Sequence, residues 1–161
     1  MVLSAEEDVG YVGALRTHAT ILTDDPIFGE FAYGGVVTRS GRAVSVVPRD
    51  GLRVRFHTIR GTQRLHMELD HDGYAKDRPI VVADDLSRVQ LTIENRTGGA
   101  HETGLTIAGL PSGEYSVAVN GRNVTTIAGG AEARKIALPV GAGPATEVAI
   151  VRSAGRAPDR E

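Results

Sequence analysis

Cysteine and tryptophan are absent from the 161 residues, lysine occurs only at Lys76 and Lys135, and aromatic residues make up 4% of the chain. Each scarcity closes a route. Without cysteine there is no disulfide, no thiolate zinc site and no cysteine nucleophile. Three Phe and four Tyr supply few of the ring faces on which sugars or bases stack. The basic residues total 18 and all but two are Arg, an imbalance that base-composition bias explains as readily as anion binding does. No window approaches the roughly 20 apolar residues of a membrane span. The opening MVLSAEEDVGYVG has no basic region leading into an apolar run. These absences read as a soluble, cytoplasmic chain with no membrane partner.

A net charge of -2 and a pI near 6.2 give no electrostatic reason to expect nucleic acid, whose binding calls for a basic patch. At 17.0 kDa the chain fits one domain with a real core. Residues 1–16 form an N-terminal leader in which Ser4 and Glu7 have capping-box spacing. A short helix over 4–16 competes there with an irregular leader, because Gly10 and Gly13 each weaken a helix by about 1 kcal/mol. Residues 17–153 are β-prone runs broken by Gly, Pro and Asp, and 154–161 read as a disordered tail. About eleven short strands with no interior helix predict an all-β antiparallel sandwich of jelly-roll type, with a closed barrel as the alternative.

The most patterned stretch is Leu52 to Asp70. Two alternating runs flank Arg60-Gly61-Thr62-Gln63, and Gly61-Thr62 suits a two-residue type II′ turn. Opposing residues then number to a constant sum. Val54, Phe56 and Thr58 meet Leu69, Met67 and Leu65 on a core face, while Arg53 faces Asp70, Arg55 faces Glu68 and His57 faces His66 on a polar face. A second hairpin is predicted at Asn120-Gly121, a type I′ pair that places Val117 opposite Val124.

The polar face of the first hairpin is the leading site candidate. His57, His66 and Glu68 are residue types that a divalent metal accepts, or that position a general acid and base at neutral pH. A solvated or partner-facing surface is the competing reading, since Arg55 and Arg53 opposite the acids add positive charge and occupy the carboxylates. A second candidate is DDPIFGEFAYGG (24–35), where Asp25 and Tyr33 are binding candidates of the kind sugar sites use. A third is the polar loop after Asp70, in which Tyr74 is the binding candidate. Its Asp70-His71-Asp72-Gly73 lacks the later acids of a calcium loop. Two glycosylation sequons, at Asn95 and Asn123, read as chance matches.

Two stretches carry a resemblance. LTIENRTGGAHETGLTIAGLPSGEYSVAVNGRNVTTI (91–127) is similar to the C-terminal β-sandwich modules attached to many bacterial glycoside-processing enzymes. DDPIFGEFAYGG (24–35), followed by VVPRDGLRVRF (46–56), resembles the closing β-domain of a family of large, glycosidase-like bacterial proteins. In such enzymes the chemistry belongs to a separate domain, so no catalytic residue carries over. The resemblance implies a non-catalytic module or small subunit that packs against a larger catalytic chain or self-associates. Two alternatives stand beside it: a stand-alone enzyme built on the hairpin face, with a divalent metal or acid–base pair, and a carbohydrate-binding module.

Overall fold

The structure is a computed structural model that describes residues 19–25, 29–33, 35–48, 54–60, 62–75, 78–130, 132–143 and 145–153. The expected leader helix, Arg53 and the 154–161 tail lie outside these residues. The described residues form no helix and 14 strands, more than the sequence pattern resolves.

The strands make two sheets. The six-stranded sheet runs β13 (Arg134–Val140), β10 (His101–Ala108), β6 (His66–Leu69), β5 (Arg55–Ile59), β1 (Ala19–Asp25) and β2 (Gly29–Tyr33). The eight-stranded sheet runs β12 (Arg122–Gly130), β11 (Leu110–Val119), β14 (Ala145–Arg152), β9 (Arg88–Glu94), β8 (Ile80–Ala83), β4 (Ala43–Pro48) and β3 (Gly35–Ser40), with the two-residue β7 (Gly73–Tyr74) also pairing β9. Every named pairing is antiparallel except β1 with β5. Alternation sends one side of each sheet into a shared core. Leu22, Phe56, Met67, Leu105 and Leu138 from one sheet join Val44, Ile80, Val89, Leu91, Val117 and Ile150 from the other in a single cluster.

The first hairpin has the predicted register: Arg55, Phe56 and His57 pair with Glu68, Met67 and His66, and Arg60 bridges Gln63 across the turn. At the second, Asn120 (φ 51°) and Gly121 (φ 82°) both adopt the left-handed conformation a type I′ turn requires. The expected Val117–Val124 pairing is corrected. A bulge between Val117 and Ala118 moves Val117 onto Thr125 and leaves Val124 exposed.

The chain changes sheet between β10 and β11 at Gly109 (φ 96°). A Cβ there would lie 2.0 Å from the Arg64 carbonyl oxygen, so the corner admits only glycine. The two sheets are also joined at the β2/β3 edge. Arg39 of β3 binds Glu30 of β2 and, at 2.9 Å, Asp84 beyond β8. Arg60, only 9% exposed, approaches the same two carboxylates at 3.7 and 3.5 Å. Arg39 lowers the pKa of both Glu30 and Asp84, so this inter-sheet clasp is ionised at neutral pH.

Candidate functional site

The hairpin between β5 and β6 brings His57, His66 and Glu68 to the outer face of the six-stranded sheet, because residues two apart on a strand share a side. The two imidazoles meet through their Nδ1 atoms at 3.0 Å, one donating and the other accepting, with ring centroids 4.6 Å apart. The Nε2 of His66 faces Glu68 Oε1 at 3.6 Å, and Glu68 also holds Arg55 at 3.1 Å. The three residues therefore form a line, from carboxylate to imidazole to imidazole.

That line is a poor metal cage. Nδ1 and Nε2 lie on opposite edges of an imidazole, so an ion placed between the two Nδ1 atoms would be on the far side of the His66 ring from the Glu68 carboxylate. Among the described residues no three His, Asp or Glu side chains gather as a metal-binding group. Burial depresses the pKa of His57, and His66 and Arg55 depress it further, which keeps His57 neutral at pH 7. What the line can do is hold a proton in place between the two Nδ1 atoms.

Asp70 does not act with these groups. It accepts from the Gly104 amide at 2.7 Å, from His71 at 2.9 Å and from Lys135 at 3.2 Å. Burial pushes its carboxyl up, but these bonds outweigh burial and set its pKa at about 2. Gly104 makes this possible, since a Cβ at that position would lie 2.5 Å from Asp70 Oδ2.

The three binding candidates do not converge. Tyr33 is half-buried on the outer face, against Ile21 and edge-on to Phe31 at 5.1 Å between centroids. Asp25 is at the opposite end of the same ladder, paired with Gly29 while Tyr33 pairs with Ile21. Tyr74 is a correction: it is 0% exposed, paired through β7 with Ile93, and offers no ring face to a ligand. The polar letters around Tyr74 read as a loop, whereas its ring fills the core beneath the eight-stranded sheet. Among the described residues its hydroxyl has no hydrogen-bond partner, in contrast to that of Tyr115, which donates to the Pro111 carbonyl at 3.0 Å.

One polar cluster has no local signal in the sequence. Asp72, with its side chain at 0% exposure, accepts from His101 Nε2 at 2.7 Å and from the Arg96 amide at 3.0 Å. His101 Nδ1 is 2.8 Å from the Gly99 carbonyl oxygen and 3.2 Å from Thr97 Oγ1. Thr97, His101 and Asp72 thus have the order of a hydroxyl–imidazole–carboxylate triad. The chemistry is different. Donation to Gly99 O and to Asp72 uses both ring nitrogens as N–H, leaving no lone pair to receive a proton from Thr97. The Gly99 carbonyl and Asp72 both raise the His101 pKa, favouring the imidazolium. Asn95 completes the turn by donating to the Gly99 and Gly141 carbonyls, so the amide of that sequon is already engaged. This cluster fastens the loop after β9 to the start of β7.

The fold and these groups define an all-β sandwich whose most patterned polar face is occupied by its own cross-strand pairs. No family model, curated protein or solved structure matches the chain.

Proposed function

We propose that the chain is a non-catalytic β-sandwich module or small subunit that supports a larger, carbohydrate-processing catalytic chain. The observation that carries this reading is the internal engagement of the hairpin face: Glu68 is held by Arg55, Asp70 by Gly104 and Lys135, and the imidazoles by each other. Groups tied to one another present a patterned surface for docking and are poorly set to attack a substrate. Beside them the same face continues through Ile59 of β5, which is 43% exposed, and Phe31 of β2, which is 38% exposed, on either side of Thr23 of β1. Apolar side chains next to a neutralised polar patch suit a protein interface. The carbohydrate association comes from the resemblance of residues 24–56 and 91–127.

The competing reading is a stand-alone acid–base enzyme that uses the Glu68–His66–His57 line. Two measurements on the isolated chain decide between them. Affinity capture from the native host, followed by reconstitution with the purified captured chain, is expected to give a stoichiometric complex that Phe31→Asp with Ile59→Asp weakens. Turnover of glycoside substrates is expected to stay at background. A monomer with measurable turnover that His66→Ala abolishes would overturn the proposal.

A further inference from the structure

On the outer face of the eight-stranded sheet the side chains of β9 lack the cross-strand partners that the hairpin groups have among the described residues. A groove of about 410 Å³ crosses this face, within the size range of ligand sites. Its floor is low: Gln90 of β9 pairs with Ala149 of β14, and Ala149 pairs with Ala118 of β11, so methyl groups let a ligand approach the sheet closely. Pro79 and Val81 form one apolar wall.

Three polar side chains of β9 share this outer face. Arg88, Gln90 and Thr92 follow one another at two-residue spacing, so the guanidinium end and the Thr92 end are about 13 Å apart. All three line the groove, and none makes a side-chain hydrogen bond or ion pair among the described residues. Arg88 is exposed and Thr92 only 7% exposed. Beside Thr92, Glu147 and Arg78 face each other at 3.8 Å, a loose, exposed pair in which each keeps hydrogen-bonding capacity.

We propose that this groove binds an acidic oligosaccharide, a chain of hexuronate units, with a carboxylate on Arg88 and hydroxyls on Gln90, Thr92 and the Arg78–Glu147 pair. The sugar class rests on the reading under Proposed function. The rest follows from the groove itself. Arg88 calls for an anion, and a guanidinium pairs well with a carboxylate. Gln90 and Thr92 both donate and accept, which suits hydroxyls. Among the described residues that line the groove none is aromatic, which disfavours a nucleobase that would need a stacking platform.

The test is calorimetric titration of the full chain with a 1,4-linked hexuronate tetrasaccharide, the matching neutral hexose tetrasaccharide and a tetraglutamate peptide. Saturable binding of the hexuronate is expected, with the neutral sugar and the peptide each at least about tenfold weaker. Arg88→Ala is expected to weaken hexuronate binding about tenfold. Ala149→Tyr, which fills the floor, is expected to abolish it. Circular dichroism of both variants is expected to match the unsubstituted chain. The proposal is overturned if no saccharide binds, if tetraglutamate binds as well as hexuronate, or if folded Arg88→Ala and Ala149→Tyr bind unchanged. Docking to a larger chain is read separately, by complex formation, so either idea can fail alone.

Discussion

The two outward sheet faces are both polar, yet their polar groups are used in opposite ways. On the hairpin of the six-stranded sheet, His57, His66, Glu68 and Asp70 all have partners within the protein. On β9 of the eight-stranded sheet, Arg88, Gln90 and Thr92 have none among the described residues. The cross-strand neighbour accounts for most of the difference. Arg55 lies opposite Glu68 and His57 opposite His66, whereas Arg88 lies opposite Val151 and Gln90 opposite Ala149, and of the three β9 groups Thr92 alone faces a polar residue, Glu147. A polar side chain facing an aliphatic one keeps its bonds for water or a ligand. Whether a polar cluster is structure or site is therefore decided one strand away.

The strongest way to sharpen this comparison is to cut the self-satisfied groups and weigh what is lost. Asp72→Ala removes a buried acceptor and strands the Arg96 amide and the His101 ring, so urea unfolding is expected to show a loss of about 2 kcal/mol. Asp70→Ala is expected to cost about 1 kcal/mol, less because its carboxylate is 37% exposed and its pairing with Lys135 is screened. Unchanged urea midpoints in both variants would show that the engaged groups are decoration.

Acidity separates two of the histidines by sign. In the folded chain the His101 pKa is raised above 6.5, so the stability it adds is fully present below that value and is lost as pH rises through its folded pKa. Its partner Asp72 is lowered below 3.8: burial raises it, and the bonds from the Arg96 amide and His101 more than offset this. The Asp72 share is therefore present above 3.8 and lost as pH falls through its folded value, and the pair acts fully between 3.8 and 6.5. His57 behaves oppositely. Its folded pKa lies below 6.5, so its contribution is present above 6.5 and is lost as pH falls through the folded value. Unfolding midpoints followed between about pH 5 and 8 are expected to lose their alkaline decline in His101→Gln and part of their acid decline in His57→Gln. Parallel curves for both variants and the unsubstituted chain would break the assignment.

How much of this was legible before the fold was known depends on sequence distance. The first hairpin could be read to the residue, because alternation fixes the faces and a two-residue turn fixes the register. The Asn120-Gly121 turn was equally plain, but the bulge behind it was not, since no residue type there demands an extra position. Tyr74 misled because its neighbours His71, Asp72, Asp77 and Arg78 spell a loop, while its burial comes from pairing with Ile93 far along the chain. Asp72 with His101, and Glu30 with Arg39 and Asp84, join strands whose adjacency only the topology sets. The groove was hidden for the same reason: β9 reads as an ordinary half-buried strand, and the low floor beside it depends on Ala149 and Ala118 arriving from β14 and β11.

The smallest expected effect is the one that most directly tests the open side of the comparison. If Arg88 and Gln90 have no partners, removing them should not cost stability, and Arg88→Ala and Gln90→Ala are expected to stay within about 0.5 kcal/mol of the unsubstituted chain in urea unfolding. The contrast with Asp72→Ala is then a contrast between groups that fold the protein and groups left over by it. Loss of more than about 1 kcal/mol in either variant would mean that the side chain is engaged, and the distinction between the two faces would disappear. Unchanged stability together with weakened hexuronate binding in Arg88→Ala is the combination that only an unengaged, ligand-facing guanidinium produces.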